Sequence, residues 1–186
     1  MSGLHDLPAD LPQPVDDGAC NHLPGMAMPC VVLRSTQGRS VDLAQLRPGR
    51  AVIYCYPRTG VPGEPLPTGW DDIPGARGCT PQSCAFRDHA ADLARFGACV
   101  FGLSTQDAAY QREMAERLHL PFEVLSDADC DFADAVRLPT FEVDGMRLIK
   151  RLTLVVRDGM IEHVFYPVFP PSRNAADVVA WLAAKS

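Results

Sequence analysis

Two kinds of hydrophobic spacing alternate along the chain. Short runs with few polar interruptions occur at Ala51–Tyr56 (Ala-Val-Ile-Tyr-Cys-Tyr), Ala98–Ser104 (Ala-Cys-Val-Phe-Gly-Leu-Ser) and Phe122–Leu125. Runs of this length read as strands buried on both faces of a sheet, which makes Cys55 and Cys99 core residues. After Cys79 the spacing becomes helical, with Phe86, Ala90, Leu93 and Ala94 on one face and Arg87, Asp88 and Asp92 among the polar positions. Asp107–Leu118 reads as a helix with an Asp cap, and a short helix follows over Asp131–Val136, with Cys130 at its start. Asn174 is expected to cap a C-terminal helix whose inward face is Ala175, Val178, Val179 and Leu182. Upstream, Cys30–Leu33 and the Val41/Leu43 pair bracket a turn at 35–39, and a helical turn over Leu43–Leu46 precedes Pro48-Gly49. Leu148–Val156 and Met160–Tyr166 flank Arg157-Asp158-Gly159, and Asp-Gly is a strong hairpin signal. Strands alternating with helices and closing on a hairpin and a helix give a mixed α/β layer fold.

Two segments lack periodicity. Residues 1–29, rich in Pro, Asp, Gly and Leu, are expected to form an extended N-terminal arm ahead of a single domain over 30–186. Cys20 and His22 are expected on the surface of that arm. The segment 58–75, with Pro62, Gly63, Pro65, Pro67, Gly69 and Trp70, reads as an inserted loop. It fits either a lid anchored by Trp70 or a surface embellishment.

Composition narrows the class. A net charge of −6 and a pI near 5.3 argue against a nucleic-acid partner. No apolar run reaches membrane-spanning length and no basic start precedes an apolar stretch, so a cytoplasmic protein is expected. Seven scattered cysteines are an odd count. They fit free or reactive thiols in a reducing compartment better than a disulfide framework.

The stretch from Gly75 to Asp88, Gly-Ala-Arg-Gly-Cys-Thr-Pro-Gln-Ser-Cys-Ala-Phe-Arg-Asp, carries the candidate chemistry. Gly75 and Gly78 allow a tight turn, Thr80 is read as the N-cap, and Pro81 suits the first helical turn. Cys79 is thereby placed at the positive end of a helix dipole, a setting that lowers a thiol pKa from its free value of about 8.5. A buried, inert cysteine is the alternative reading of the same position. Five residues of regular helix rise about 7.5 Å and do not complete a whole number of turns. A disulfide needs Cα atoms within about 7 Å and facing Cβ vectors. A bond from Cys79 to Cys84 therefore requires the first turn to unwind, which suits a two-step reaction better than a Cys-x-x-Cys exchange. A zinc site would want ligand pairs at metal spacing, and the other cysteines are singletons.

These residues resemble the active-site segment of peroxiredoxins, specifically the bacterioferritin comigratory protein (Q-type) group. In that group the peroxidatic cysteine is followed by Thr, two residues, a small residue and a resolving cysteine. An aromatic or aliphatic residue and Arg-Asp come shortly after. Those features fall here on Cys79, Thr80, Cys84, Phe86, Arg87 and Asp88, and the resemblance covers most of the chain from about Val31 onward. It implies a thioredoxin-like fold, a mixed central sheet flanked by helices. It also implies a peroxidase that needs no metal or organic cofactor. Cys79 would attack hydrogen peroxide or an organic hydroperoxide, become a sulfenic acid, and be resolved by Cys84 as an intramolecular disulfide. Thioredoxin or glutaredoxin would reduce that disulfide. Gly78, Thr80 and Pro57 would contact the peroxide, and a monomer or homodimer is expected.

The chain departs from the group's motif in two places. Between Pro57 and Cys79 stand 21 residues where the motif has six, an insertion of 15. Ala76 occupies the place of a Thr whose hydroxyl would bond the peroxide, leaving Thr59 and Thr80 as candidates for that role. Arg151 opens the Arg-Leu-Thr-Leu strand, where the resemblance implies an arginine that reaches the thiolate and orients the peroxide. A guanidinium suits that work because it stays charged and offers a fork of donors. The residues alone also allow a surface ion pair there, and leave open a redox sensor or a thiol–disulfide oxidoreductase on the same fold.

Overall fold

The computed structural model describes residues 7, 10–46 and 49–185. In chain order the elements are β1 (Val32–Ser35), β2 (Ser40–Asp42), β3 (Arg50–Cys55), α1 (Cys79–Asp88), α2 (Ala90–Arg95), β4 (Ala98–Ser104), α3 (Ala108–Arg117) and β5 (Glu123–Ser126). There follow α4 (Asp131–Ala135), β6 (Thr140–Val143), β7 (Met146–Ile149), β8 (Leu152–Arg157), β9 (Met160–Phe165) and α5 (Asn174–Ala184). A 3-10 turn over Leu43–Gln45 matches the expected helical turn, whose Pro48 lies outside the described residues.

Seven strands form one mixed sheet in the order β2-β1-β5-β4-β3-β8-β9. β3 runs parallel to β4, and β4 to β5, while β8 closes antiparallel on the other side of β3. The alternation along β3 divides the core. Ala51, Ile53 and Cys55 face one cluster, with Phe132, Leu152 and Leu154. Val52, Tyr54 and Tyr56 face the other, with Phe86, Leu93, Met114, Val178 and Leu182 from the helices. Phe86 of α1 stacks on Tyr54 with ring centroids 4.4 Å apart, and Tyr54 donates a hydrogen bond to Ser83 Oγ (3.1 Å). α1 is thus pinned to the middle of the sheet by one aromatic pair and one buried hydroxyl pair.

Several expectations change in the folded chain. The helix that starts at Cys79 breaks at His89, and Ala94 faces solvent. Cys99 is exposed, because β4 turns it outward from the edge of the core. The expected continuous strand 148–156 is interrupted at Lys150 and Arg151. Its first part joins a second sheet, the β6–β7 hairpin, around Asp144-Gly145 with both residues at positive φ. That turn carries the same Asp-Gly signal as Asp158-Gly159.

The arm also differs from its expectation over the described residues. Cys20, Leu23 and Met28 are buried in the first core cluster, and His22 Nε2 lies 2.9 Å from the Val136 carbonyl. Asp17 clasps the segment to the domain through Lys150 Nζ (2.9 Å) and the Tyr166 hydroxyl (2.8 Å). Leu23 and Met28 supply the reason: apolar side chains without periodicity still gain by burial. Bonds from Lys150 and Tyr166 hold the Asp17 carboxyl down at about 2, against about 3.9 in an unfolded chain. The clasp should therefore hold fully above about pH 4 and be lost as pH falls toward 2. Amide protection over residues 18–26 should follow that course, and loss of protection already at pH 5 would count against the clasp.

Candidate active site

Gly78, at φ 102°, is the N-cap of α1, and Cys79 is the first helical residue. The expected cap, Thr80, is instead buried inside the first turn. The reason is steric: a Cβ on Gly78 would lie 2.5 Å from Cγ of Pro171, so only a residue without a side chain lets the chain turn there. At the first two helical positions the amides of Cys79 and Thr80 have no intrahelical acceptors and lie beside the thiol, and Pro81 after them brings no N–H that needs one.

Arg151 reaches this turn from the break between β7 and β8. Its Nη2 lies 3.2 Å from Cys79 Sγ and also donates to the carbonyls of Ala76 (3.1 Å) and Arg77 (3.0 Å). Nε donates to Gly75 O (3.3 Å) and Nη1 to Gln82 Oε1. Arg151 is 3% exposed, and among the described residues no carboxylate pairs with it. A buried cation without a counter-ion is costly. Among the described residues the sulfur of Cys79, as a thiolate, is the group in contact that can carry the balancing charge.

Two further residues, Gln82 and Asn174, complete the setting. Gln82 Nε2 donates to Asn174 Oδ1 (2.9 Å), which also accepts from Thr153 Oγ1 (2.7 Å). All three side chains are buried. Asn174 is therefore the first residue of α5 and a core hydrogen-bonding group, not the cap expected of it. Polar residues at inward positions of the helical pattern were the available signal for both.

A cavity of about 30 Å³ opens over the sulfur, lined by Arg58, Thr59, Ala76, Gly78, Cys79 and Thr80 among others. Pro57 is buried one residue short of this lining. The Thr59 hydroxyl is held by Gln106 Oε1 at 3.2 Å. Trp70, from the 58–75 loop, also lines the cavity and packs with Val143 and Leu148 of the β6–β7 hairpin. The loop thus roofs the thiol and is anchored from the side. A larger cleft, about 420 Å³, lies beyond Arg58 and contains Cys130. Burial pushes the Cys130 thiol up, so its helix-start position does not activate it. Cys84, half-buried midway along α1, is likewise pushed up by burial. In the structure Cys79 and Cys84 are both free thiols.

The redoxin family model matches residues 23–180. Peroxiredoxin Q of Oryza sativa subsp. japonica, a chloroplastic protein, is 28% identical over 155 residues, which cover 83% of this chain and 64% of that one. The chain thus spans a little under two thirds of that relative's length. Among solved structures, peroxidoxin BcpB of Mycobacterium tuberculosis superposes with a TM-score of 0.72 at 25% identity, over 89% of this chain and 99% of that one. The bacterioferritin comigratory protein of Xanthomonas campestris shares the fold, with a TM-score of 0.67 at 18% identity over 95% of this chain and 99% of that one. With the family match running from the end of the N-terminal segment into α5, the chain belongs to the redoxin family, within which its likeness is to the peroxiredoxin Q and bacterioferritin comigratory proteins.

Proposed function

We propose that the chain is a thiol-dependent peroxidase of the atypical two-cysteine kind, with Cys79 as the peroxidatic and Cys84 as the resolving residue. The observation that carries this reading is the buried Arg151 guanidinium, unpaired by any described carboxylate and 3.2 Å from Cys79 Sγ. The cavity over the sulfur has room for about two water-sized spheres. That is the size of the two oxygens of a hydroperoxide, hydrogen peroxide or the head of an organic one.

The thiolate attacks the distal oxygen. An S–O bond forms, the O–O bond breaks, and the departing alkoxide or hydroxide takes a proton to leave as alcohol or water. The amides of Cys79 and Thr80, beside Gly78, together with Arg151, stabilise the charge that develops. Cys79 is left as a sulfenic acid. α1 then opens, since its regular form holds the two Cα atoms about 9 Å apart. Opening exposes Cys84 and removes the burial that pushes its thiol up. The Cys84 sulfur displaces hydroxide from the sulfenic acid, forming the disulfide and releasing water. A dithiol protein, thioredoxin or glutaredoxin, restores both thiols by exchange. Seven free cysteines support a reducing compartment such as the cytoplasm as the place of action.

Peptide-mapped mass spectrometry after one equivalent of hydrogen peroxide tests the scheme. The expected result is a rapid Cys79–Cys84 disulfide in the parent protein, a sulfenic acid on Cys79 in Cys84→Ser, and no fast reaction in Cys79→Ser. A disulfide from Cys79 to another cysteine would overturn the role of Cys84. A Cys79 that stays reduced while peroxide persists would overturn the peroxidase reading.

A further inference from the structure

The residues between the two cysteines are bound to the rest of the protein by buried hydrogen bonds. Gln82 is fully buried. Its carbonyl oxygen accepts from Arg151 Nη1, and its amide nitrogen donates to Asn174 of α5 at 2.9 Å. Asn174 is held in turn by Thr153 of β8. Opening the turn for Cys84 to reach Cys79 must break both Gln82 bonds. We propose that Gln82 is a positioning residue that latches the first turn of α1 to Arg151 and Asn174, and so sets how fast Cys84 can resolve oxidised Cys79. The proposal rests on the peroxidase reading of the Cys79 site.

The geometry also times the latch. While Cys79 is a thiolate, Arg151 has its counter-charge and the closed turn is stabilised through both the sulfur and Gln82. Once the sulfur has taken an oxygen, the sulfenic acid is neutral. The closed site then holds a 3% exposed guanidinium with no anion against it among the described residues, a state that favours exposure to water. The Gln82 bonds then hold the turn together with the Tyr54–Ser83 bond and the Arg151 bonds to the carbonyls of Ala76 and Arg77. A sulfenic acid that waits too long meets a second hydroperoxide, which adds another oxygen to the sulfur and leaves as alcohol or water. The sulfinic acid so formed is a dead end for the cycle. The latch therefore sets the division between disulfide and sulfinic acid.

Two substitutions should act in opposite directions, which a loss of packing alone would not produce. Gln82→Met removes both hydrogen bonds at similar volume. The rate of disulfide formation from the sulfenic acid should rise about five- to tenfold, the scale of one or two net hydrogen bonds. The fraction of Cys79 lost to sulfinic acid per turnover should fall by a similar factor. Gln82→Glu gives up the donation to Asn174 Oδ1 but supplies Arg151 with a permanent counter-ion, the larger effect beside a buried guanidinium, so oxidation no longer leaves it unpaired. Resolution should slow several-fold and sulfinic acid should accumulate. The readout is quenched-flow mass spectrometry of Cys79 after a single addition of hydrogen peroxide.

Rates that move in the same direction in both variants, or by less than twofold in each, would overturn the latch. Should no sulfenic acid form even in the parent protein, the peroxidase reading falls and the latch falls with it. If Gln82→Met does not fold, amide exchange in the Cys84→Ser protein decides. The amides of residues 79, 80 and 82–84 should exchange at least several-fold faster after oxidation of Cys79 than before it, and equal exchange in the two states would overturn the proposal.

Discussion

Replacing Arg151 by methionine should lower the rate at which Cys79 reacts with peroxide by about two to three orders of magnitude, the scale seen when a preorganised charge-stabilising donor is removed from an active site. Its donors serve five acceptors: three carbonyls of the 75–77 turn, Gln82 and the Cys79 sulfur. The one side chain therefore builds the turn and charges the site. Methionine matches the stem but supplies no donor, so the carbonyls of Ala76 and Arg77 also lose theirs. Arg151→Lys keeps the charge but offers three rotatable donors in place of a fork, and should recover no more than about one order of magnitude. Formation of the Cys79 sulfenic acid in a Cys84→Ser background is the measurement, with thermal unfolding recorded beside it. A folded Arg151→Met protein within about threefold of its parent would remove the basis for the charge argument.

The second large effect should come from Gly78→Ala. At φ 102° and ψ 20° the backbone lies where an L side chain is strained. The added Cβ would also sit 2.5 Å from Cγ and 3.0 Å from Cβ of Pro171, a rigid and buried ring. Backbone strain and overpacking together should cost about 2–4 kcal/mol of stability. The loss is relieved only by moving the start of α1, which carries Cys79 away from Arg151, so the peroxide reaction should weaken as well. Gly25→Ala is the control, since φ is 87° there but nothing lies within 4 Å of the new Cβ. It should show the backbone cost alone and leave the reaction intact. Equal unfolding midpoints for the two alanine variants would show that the Pro171 contact contributes nothing.

The parts of this molecule that could be read from the residues are those where local pattern and burial agree. β3 alternates between two core clusters, so its nearly unbroken apolar run had one structural meaning. The Asp158-Gly159 turn forms where its dipeptide places it. The same signal at Asp144-Gly145 is masked in the sequence by the apolar run from Leu148 to Val156, which reads as one strand continuing past Arg151. The break there is what frees Arg151 to leave the sheet and turn to the thiol. The burial of Cys20 is hidden from the sequence for a different reason. Its segment has no periodicity, yet Leu23 and Met28 beside it fill a depression in the core, and burial of that kind depends on the surface presented by β9 and α4.

Whereas the Gly78 cap depends on the approach of the distant Pro171, the cysteine pair and the start of its helix are local matters, decided by neighbours in the sequence, and the sequence alone determined them. It also determined the layer fold, because period-two and period-3.6 patterns report which side of each element is buried. What periodicity cannot report is which distant group a buried polar side chain will meet. Arg151 and Cys79 are 72 residues apart in the chain, and Gln82 and Asn174 are 92 apart. Only the tertiary structure brings them together. The parallel pairing of β3 with β4 and the antiparallel return of β8 stack α1 and α5 on one face of the sheet, with the end of β8 beneath the first turn of α1. In that buried space Arg151 meets no carboxylate among the described residues, and the group within its reach that can become an anion is the sulfur of Cys79.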